Sequence, residues 1–354
     1  MSSSIPEPSL WAVVLAGGVG SRFWPVSTPA RPKQVLPLGS ERPLIADAVD
    51  RIGGLVPADR LRLLAGAHLV EPLLRAAPAL SRDQLWVEPD SRGTAPVLAW
   101  AAARIARLDP DAVMVSLHSD HIIEPASAFR SLVAMLARLA ARAQRLFTIG
   151  VQPTRPESGY GYLRLGEPLT TSGGVYAVER FVEKPDVERA RRYLEEGGYL
   201  WNSGIFLWSV RLFLDELRAH TPELADLLPL LDEGRDDAFF QRAPHLSVDE
   251  GVLERSQRVA AARATFDWDD VGSWDAVGRC RAPDASGNVG VGGARFVGAR
   301  DCIGWSDDGQ VVLFGTEGLV VVRTAHITLV MPRARSGDLK RLLGELPEDV
   351  IEDG

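Results

Sequence analysis

A glycine-rich loop directly after an apolar run constrains this chain more than any other segment. The apolar run, WAVVLA at residues 11–16, is typical of a strand that is buried on both faces of a sheet. Three glycines follow, Gly17, Gly18 and Gly20. Their missing side chains allow backbone N–H groups to approach an anion closely. Because Arg22 and Lys33 add positive charge just beyond them, the segment predicts a phosphate-binding loop.

Two familiar phosphate-binding loops do not match this segment. A P-loop requires GxxxxGK followed by Ser or Thr, but Arg22 and Phe23 occupy the sixth and seventh places counted from Gly17. The dinucleotide-binding fingerprint GxGxxG, started at Gly18, would require a glycine where Phe23 stands. A glycine turn that only lets strand and loop pack closely is the plain alternative. Arg22 and the Pro-Lys-Gln sequence at 32–34 favour phosphate binding.

Further motifs are spread along the chain. They are LAGGVGSRFWPVSTPARPKQ at 15–34, SDH at 119–121, GYGY at 159–162, FVEKP at 181–185, WNSGIF at 201–206 and WDDVGSW at 268–274. Together they resemble the sugar-phosphate nucleotidylyltransferases, and within them the bacterial mannose-1-phosphate guanylyltransferases. The resemblance covers nearly the whole chain. It implies transfer of GMP from GTP to mannose 1-phosphate, with GDP-mannose and pyrophosphate as products and Mg²⁺ as the cofactor.

Length and charge limit the possible partners. The chain has 354 residues, 46% of them hydrophobic, which predicts one large domain of about 250 residues and a smaller one. The net charge of −8 argues against nucleic-acid or membrane-surface partners. Cys280 and Cys302 lack a metal-binding or redox spacing, so buried free thiols are expected. The amino terminus has neither a basic leader nor a long apolar stretch, so a cytoplasmic protein is expected.

Short apolar runs alternate with helix-like segments over most of the chain. Strands are predicted at 61–65, 84–87, 112–117 and 146–151, and helices at 94–108 and 126–142. Such alternation predicts an α/β fold with a doubly wound, mostly parallel, Rossmann-like sheet.

From residue 288 the pattern changes to short β-like pieces separated by glycines and turn residues. These pieces are 311–314, 318–323 and 327–331, followed by a predicted terminal amphipathic helix at 336–346. We expect a flexible tail at 1–9, a catalytic domain at 10–282 and a small β-rich domain at 283–354. The resemblance implies that the last domain is β-helix-like and serves in subunit contacts, which allows a homodimer.

Two carboxylates are candidates for binding a divalent ion. Asp120 follows a strand-like apolar run, and ligands of open α/β sheets bind at the carboxyl ends of strands. Helix capping by Asp120 is the plain alternative. The resemblance adds Asp270 of WDDVGSW and implies that Asp120 and Asp270 share one Mg²⁺, a hard ion suited to carboxylates and phosphate oxygens. His118 and His121 would suit zinc, but no cysteine is near and phosphate chemistry favours oxygen ligands.

The segment WVEPDSRGTAPV resembles the family's base-binding segment. An ionised Glu88 accepts hydrogen bonds only, and guanine presents two adjacent donors, N1–H and the 2-amino group. Glu88 therefore favours guanine over adenine or a pyrimidine, although a surface glutamate after a strand is the plain alternative. The resemblance adds Gly93 and Thr94 to the nucleotide pocket.

The sugar-phosphate side rests on three other motifs. As isolated residues, Glu183 and Lys184 would be interpreted as a solvated ion pair. The resemblance assigns Glu183 to sugar hydroxyls and Lys184 to the phosphate of the hexose 1-phosphate. Asn202 offers donor and acceptor groups to hydroxyls, while Tyr160 and Gly161 offer a close backbone approach. We expect these five residues to bind substrate rather than to act in catalysis.

The resemblance also implies how the reaction proceeds. A phosphate oxygen of mannose 1-phosphate would attack the α-phosphorus of GTP, and positioning and charge screening would replace a strong general base. Arg22 would hold the leaving pyrophosphate, Lys33 would stabilise the transferring phosphoryl group, and Asp120 with Asp270 would place Mg²⁺. The remaining residues expected to bind the nucleotide are Leu15, Gly17, Gly18, Gly20 and Ser119.

Two alternative functions stay open. Another hexose or heptose 1-phosphate could be the substrate, because Asn202 and Glu183 do not define the sugar's stereochemistry. A non-catalytic regulatory paralogue that binds nucleotide sugars is the second alternative, although all four expected catalytic residues are intact. Roles for His118, Asp249 and Asp269 are not assigned.

Overall fold

The computed structural model describes residues 7–18, 20–171 and 173–352, and its strands and helices alternate along most of that length. The strands are β1 (Leu10–Leu15), β2 (Leu61–Ala65), β3 (Leu85–Val87), β4 (Val113–His118), β5 (Ile122–Glu124), β6 (Leu146–Val151), β7 (Tyr162–Pro168), β8 (Val175–Val182), β9 (Tyr199–Ser209), β10 (Val259–Arg263), β11 (Asp267–Asp269), β12 (Val289–Val297), β13 (Ile303–Phe314), β14 (Leu319–Arg323) and β15 (Thr328–Pro332). The helices are α1 (Leu44–Ile52), α2 (Val70–Ala76), α3 (Thr94–Leu108), α4 (Ala126–Ala140), α5 (Val187–Glu196), α6 (Val210–His220), α7 (Pro222–Ala225), α8 (Leu228–Asp232), α9 (Asp236–Arg242), α10 (Trp274–Cys280), α11 (Leu339–Leu343) and α12 (Glu348–Glu352).

A nine-stranded sheet in the order β3-β2-β1-β4-β9-β6-β10-β8-β7 forms the centre of the molecule. The strands β3, β2, β1 and β4 are parallel, as are β6 and β10. The strands β7, β8 and β9 run antiparallel to their neighbours. The sheet is therefore more mixed than the expected mostly parallel sheet. One reason is that β7 and β8 are joined by residues 169–174 only, a short connection that suits an antiparallel hairpin.

The helices cover both faces of this sheet. Alternate side chains of β1 enter two separate cores: Trp11 and Val13 pack with α3 and α6, whereas Ala12 and Val14 pack with α1, α2 and α4. Successive side chains of a strand point to opposite faces, so an uninterrupted apolar run is what such a central strand requires. The predicted α/β, doubly wound fold is thereby confirmed.

The strand order places a ligand-binding crevice next to β1. The chain leaves β1 toward β2 on one side, while β4 lies on the other side and is also parallel to β1. Ligands of open α/β sheets bind at such a reversal of strand order, beyond the carboxyl ends of the strands. The glycine loop after β1 and Asp120 after β4 therefore meet in this crevice.

The C-terminal strands form a second sheet in the order β12-β13-β14-β15. The strands β12, β13 and β14 are parallel, although β12 and β13 are joined by residues 298–302 only, and β15 is antiparallel to β14. Parallel strands with such short connections are β-helix-like, as expected.

This second sheet shares a core with the segment that follows the glycine loop. Phe23 and Trp24 from that segment pack with Trp274 of α10 and with Ile303 and Trp305 of β13. The Trp274 ring is edge-on to both Phe23 and Trp305, at 5.3 and 5.5 Å between ring centroids. The C-terminal region therefore packs against the segment that directly follows the glycine loop.

Some expectations at the chain ends differ from the structure. The predicted single helix at 336–346 is replaced by the end of a 3₁₀ turn (Arg333–Asp338) and the short α11, and α12 follows as a separate helix beyond residue 346. Gly337, Gly344 and Pro347 explain the division, because glycine and proline weaken a continuous helix. Most of the expected tail at 1–9 lies outside the described residues. Within it, the Ser9 carbonyl accepts a hydrogen bond from the Val113 backbone at 2.8 Å.

Two other expectations concern the membrane and the thiols. Among the described residues, none of the helices has both the length and the apolar character required to cross a bilayer. Cys302 is a buried free thiol, and Cys280 is a free thiol that is partly exposed.

We predict that Trp305→Ala destabilises the whole protein rather than the C-terminal sheet alone. Loss of a buried aromatic side chain from the shared core should lower the free energy of unfolding by about 3–5 kcal/mol. Calorimetry should show one transition that moves to lower temperature.

Gln310→Ala on the same strand is the matched control, since Gln310 is exposed. It should change the free energy of unfolding by less than about 0.5 kcal/mol. Two separate transitions, with only one shifted in Trp305→Ala, would contradict the shared core.

Candidate active site

The glycine loop is held in place by one buried amide. Gln34 is nearly inaccessible, and its Nε2 donates hydrogen bonds to the carbonyl oxygens of Gly17 at 2.7 Å and Gly18 at 2.9 Å. A third, longer contact of 3.3 Å reaches the carbonyl of Ala16. Because these carbonyls point inward to the amide, Gly17 and Gly18 are held in place without a ligand. The sequence places Gln34 in the motif but gives it no role.

Lys33 lies directly against this loop. Gly20 has φ 75°, and a Cβ at that position would overlap the Lys33 Cβ. The missing side chain at Gly20 therefore serves both a left-handed backbone conformation and a close contact with the lysine stem. The Lys33 side chain crosses the Phe23 ring, with Nζ 5.6 Å from the ring centroid. Such packing positions the ammonium group.

The Lys33 ammonium joins both expected metal-binding carboxylate residues. Its Nζ donates to Asp120 Oδ2 at 2.7 Å and to the backbone carbonyl of Asp270 at 2.9 Å. Burial alone would raise the pKa of the Asp120 carboxyl, but the charge and hydrogen bond of Lys33, together with the two neighbouring imidazoles, outweigh it and hold this pKa well below its ordinary value. Asp120 is therefore ionised at neutral pH.

Asp270 faces the same place from the other side of the crevice. Its Oδ1 accepts a 2.5 Å hydrogen bond from the Tyr160 hydroxyl. Burial raises the pKa of Asp270, while the hydrogen bond from Tyr160 opposes the rise. Burial and the Asp270 carboxylate together raise the pKa of Tyr160 above its usual range, so its hydroxyl remains a donor. Tyr160, expected on the sugar side, thus contacts the carboxylate that the resemblance assigns to the metal.

Two imidazoles stand beside Asp120. Ligand atoms of His118, Asp120 and His121 lie within 4.8 Å of one another. However, His121 Nδ1 accepts a 3.2 Å hydrogen bond from the Trp268 indole, which places the proton of a neutral ring on Nε2. That tautomer leaves no free nitrogen lone pair on His121. The arrangement therefore favours oxygen ligands over a zinc site.

A cavity of about 250 Å³ opens between the loop and these carboxylates. It is lined by Gly17, Gly18, Gly20, Arg22, Phe23, Lys33, Gln34, His118, Asp120, His121, Asp270 and Gly272. The Arg22 side chain is exposed at its mouth, and no residue in the described part of the chain pairs with it. A neighbouring cavity of about 630 Å³ also contains Arg22 in its wall. An anion in either space would meet an unneutralised guanidinium.

Glu88 lies against the glycine loop at the far side from β4. Its Oε1 is 3.7 Å from the position that a Cβ on Gly17 would take. Burial raises the pKa of Glu88 to about 7, and the nearby charge of Asp90 adds to this rise. The side chain is free of hydrogen bonds to the described residues, so its oxygens are available to a ligand.

Gly93 and Thr94 are tied to a distant segment. Gly93 has φ 84°, and a Cβ there would lie 2.5 Å from the Leu246 carbonyl oxygen. Thr94 Oγ1 accepts a 2.8 Å hydrogen bond from the Val248 backbone. This packing gives a reason for the glycine that does not involve a base, and it brings residues 246–248 to the start of α3.

Ser119 and Leu15 join the ends of β4 and β1. The Ser119 backbone N–H donates to the Leu15 carbonyl at 3.0 Å. The Ser119 hydroxyl is buried and makes no hydrogen bond within the described residues. A ligand reaching this point would find an unsatisfied polar group.

The expected sugar-binding residues form one cluster. The Asn202 backbone N–H donates to the Gly161 carbonyl at 2.8 Å, and a Cβ on Gly161 would lie 2.6 Å from Glu183 Oε2. Glu183 and Lys184 form an ion pair. Burial lowers the pKa of Lys184, but the hydrogen bond to Glu183 and the negative charges of nearby acidic residues together outweigh this and raise the pKa overall.

Asp249 belongs to this cluster and was given no role from sequence. Its Oδ1 accepts a 2.8 Å hydrogen bond from Asn202 Nδ2, while Asn202 Oδ1 accepts one from Thr148 Oγ1 at 2.8 Å. Burial raises the pKa of Asp249 to about 7, and the Glu183 carboxylate contributes to this rise. Asp249 opens a π-helical turn, Asp249–Leu253, a geometry frequent at functional sites. The VDEGVLE segment was the available signal.

The two clusters adjoin along β9. Gly204 lies two residues beyond Asn202, and a Cβ on it would lie 3.0 Å from His118 Nε2. The phosphate-side residues and the sugar-side residues therefore occupy neighbouring positions at one edge of the sheet. Such a site can hold a phosphate anion next to a polar, hydroxyl-binding pocket.

A glycine loop at the switch point of a Rossmann-like sheet, with carboxylates around it, defines a nucleotide-binding α/β enzyme. A family model described as nucleotidyl transferase matches residues 11–285. The chain is 36% identical over 352 residues to the mannose-1-phosphate guanylyltransferase of Klebsiella pneumoniae, which covers 96% of this chain and 74% of that protein.

Two further comparisons agree. The alginate biosynthesis protein AlgA of Pseudomonas aeruginosa is 34% identical over 345 residues, which are 94% of this chain and 71% of that protein. A crystal structure of the mannose-1-phosphate geranyltransferase from Thermus thermophilus superposes with a TM-score of 0.87 at 32% identity, over 95% of this chain and 99% of that chain. The chain belongs to the nucleotidyl transferase family, among the mannose-1-phosphate guanylyltransferases.

We predict that Gln34→Ala weakens nucleotide binding without unfolding the protein. The loop would lose the amide that fixes its carbonyls, and since one hydrogen bond contributes about 1 kcal/mol, GTP affinity should fall about fivefold. Isothermal titration with GTP measures this.

Gln310→Ala, at an exposed position of β13, is the matched control and should bind GTP as the parent does. Unchanged GTP affinity in folded Gln34→Ala would show that the amide does not organise the loop for binding.

Proposed function

We propose that this enzyme transfers GMP from GTP to mannose 1-phosphate and releases pyrophosphate. The observation that carries the proposal is the buried Lys33, which holds the Asp120 carboxylate and the Asp270 carbonyl beside a pre-formed glycine loop. The activity for which the similar proteins are named, mannose-1-phosphate guanylyltransferase, supports a guanine nucleotide as donor and mannose 1-phosphate as acceptor. The protein's own residues supply a triphosphate site, a base contact and a sugar pocket.

Mg²⁺ fits the donors of this site. Asp120 and Asp270 offer carboxylate oxygens to one cavity, and Mg²⁺ takes one or two carboxylates together with phosphate oxygens and water. When bound, the ion screens the triphosphate charge. We propose that Asp120 and Asp270 hold it, and that Lys33 then turns from Asp120 toward the phosphoryl group that is transferred.

The phosphates would lie along the loop with fixed charges at each end. Backbone N–H groups near Gly17, Gly18 and Gly20 would bind phosphate oxygens. Arg22, which has no partner among the described residues, would bind the leaving pyrophosphate. The sugar phosphate is already an anionic nucleophile at neutral pH, so in-line positioning and charge stabilisation account for catalysis without a general base.

Glu88 would select guanine. An ionised carboxylate accepts from both N1–H and the 2-amino group, whereas adenine would place an acceptor, N1, against it. Asn202, Glu183 and Asp249 would bind sugar hydroxyls, and Lys184 the sugar phosphate. Asp249 held by Asn202 gives this pocket a fixed acceptor at the centre.

The proposal is tested by pyrophosphate release with Mg²⁺, when GTP, ATP, UTP and dTTP are each combined with mannose, glucose and glucosamine 1-phosphates. Rapid release only from GTP with mannose 1-phosphate is expected. Release from GTP with another sugar would retain the fold and base pocket but replace the sugar. Binding of GDP-mannose without any release would favour a regulatory paralogue.

Arg22→Ala should reduce turnover far more than stability. Loss of one charged group at the pyrophosphate should lower kcat by about 10²-fold, while removal of an exposed, unpaired side chain should alter the free energy of unfolding by less than about 0.5 kcal/mol. Arg31→Ala is the matched control, because Arg31 lies in the same segment but pairs with Asp307 on the surface. Turnover in Arg22→Ala equal to that of Arg31→Ala would remove Arg22 from the site.

The Glu88 assignment predicts a pH dependence of GTP binding. With a pKa of about 7, Glu88 is protonated below that pH and loses one acceptor, so GTP affinity should rise as the pH increases from 6 to 8. In Glu88→Gln the rise in GTP affinity that comes from Glu88 should be absent. Titration of the phosphates of GTP affects both proteins equally. Identical pH profiles of affinity in the two proteins would contradict guanine recognition by Glu88.

The expected homodimer stays a proposal. Its support is a patch of exposed apolar side chains on the C-terminal sheet, where Phe314 and Val312 of β13 lie beside Val297 of β12. Exposed apolar patches of this kind favour protein contacts. Light scattering of the purified protein measures its mass in solution and decides between monomer and dimer.

A further inference from the structure

The backbone directly after Asp270 has an unfavourable conformation. Val271 is fully buried and has φ 47°, a left-handed region that a β-branched residue rarely adopts. Such a conformation persists only where the surroundings enforce it, and it often marks a functional site. The enforcing contact here comes from Asp269, whose Oδ1 accepts a 2.8 Å hydrogen bond from the Val271 N–H. This bond closes a turn around Asp270.

Asp269 is itself held by a guanidinium. Arg279 Nε donates to Asp269 Oδ2 at 2.8 Å, and Arg279 Nη2 donates to Asp269 Oδ1 at 3.2 Å. This paired geometry fixes the plane of the carboxylate as well as its position. Arg279 lies in α10, the helix that follows the WDDVGSW motif.

The contacts continue into the C-terminal region. Arg279 Nη1 donates to Asp275 Oδ2 at 2.5 Å, and Asp275 Oδ1 accepts from Arg333 Nε at 2.7 Å. Arg333 opens the 3₁₀ turn after β15, and its backbone N–H donates to the Gly318 carbonyl at 2.7 Å. The guanidinium crosses Gly278, where a Cβ would lie 2.6 Å from Arg333 Nη2. Alternating charges thus connect the C-terminal region with the turn at Asp270.

The pairs of this ion-pair chain are partly exposed at the centre and more buried at the ends. The side chains of Asp269 and Arg333 are 13% and 24% exposed, and those of Arg279 and Asp275 are 30% and 35% exposed. By contrast, the Arg300–Glu317 pair in the same C-terminal region is 69% and 66% exposed, with 3.4 Å between its atoms. The ion-pair chain, with its short and partly two-point hydrogen bonds, therefore fixes the relative positions of its members better than the exposed Arg300–Glu317 pair does.

We propose that the C-terminal region positions Asp270 through the ion-pair chain Asp269–Arg279–Asp275–Arg333. The inference rests on the proposed function insofar as Asp270 binds the divalent ion. Asp269, Arg279, Asp275 and Arg333 are positioning residues, since they act through the turn and not on the substrate. The β-rich region is accordingly part of the catalytic apparatus, in addition to any contact between subunits.

The test removes Arg333, the last residue of the ion-pair chain. In Arg333→Ala, the affinity for Mn²⁺, measured by the electron paramagnetic resonance of free Mn²⁺, should fall about tenfold, as is typical when the support of a metal ligand is lost. Hydrogen exchange measured by mass spectrometry should become faster in the segment 267–274, which contains the Val271 N–H. Arg300→Ala is the matched control and should leave both measurements unchanged.

A double-mutant cycle tests whether the effect passes through Asp275. Asp275→Ala already interrupts the ion-pair chain. Adding Arg333→Ala should therefore cause no further change in Mn²⁺ affinity or in hydrogen exchange. Arg333→Lys keeps one charged donor and should restore part of both. If Arg333→Ala does not fold, Arg333→Lys and Asp275→Asn provide the same two readouts.

Two outcomes would overturn the proposal. One is unchanged Mn²⁺ affinity and unchanged exchange at 267–274 in folded Arg333→Ala. The other is a variant that only raises the KM for pyrophosphate in the reverse reaction, which would make Arg333 a direct phosphate contact in the cavity that it shares with Arg22. Failure of the proposed function would look different, because the exchange measurement needs neither metal nor substrate.

Discussion

A buried ammonium group organises this protein. Lys33 is 7% exposed, and a cation at such a depth requires charged or polar partners. Its partners, Asp120 and the Asp270 carbonyl, lie 87 and 237 residues away along the chain. One side chain therefore fixes the glycine loop, the end of β4 and the WDDVGSW motif relative to one another. The geometry of the candidate active site follows from satisfying this charge, and we propose that a nucleotide with its metal ion takes over the same partners.

The position of Lys33 depends in turn on packing at some distance. The segment from Phe23 to Leu36 lies on a core made partly by β13 and β14, and Trp274 packs between Phe23 and Trp305. The C-terminal sheet therefore packs against the segment that carries Lys33 in the candidate active site. It supports the loop through apolar contacts and the Asp270 turn through the ion-pair chain, so the site is held from two sides.

Much of the fold could be predicted from the sequence because local patterns determine it. The bounds of β2, β6 and α3 agree with the predicted segments, since apolar periodicity and turn residues mark them directly. The direction of β9 could not be predicted, because an apolar run indicates burial but not whether a strand is parallel to its neighbours. The terminal helix was predicted as one piece although Gly337 and Gly344 divide it.

In the candidate active site, the residues in local motifs could be predicted from the sequence, but the contacts between distant segments could not. Motifs indicated Arg22, Lys33, Asp120 and Asp270, since each stands in a distinctive local sequence. The hydrogen bond between Tyr160 and Asp270 joins residues 110 positions apart, so no local pattern encodes it. Asp249 was left without a role for the same reason, because its partner Asn202 belongs to another segment. Long-range polar contacts are where sequence reasoning was incomplete.

Direct displacement at the α-phosphorus is tested by the exchange of labelled pyrophosphate into GTP. We expect label to enter GTP when mannose 1-phosphate is present with Mg²⁺. With GTP and Mg²⁺ alone, no label should enter, because none of the residues proposed for the site forms a bond to the nucleotide. Exchange without the sugar phosphate would reveal a guanylylated enzyme and contradict direct displacement, and no exchange under either condition would contradict guanylyl transfer itself.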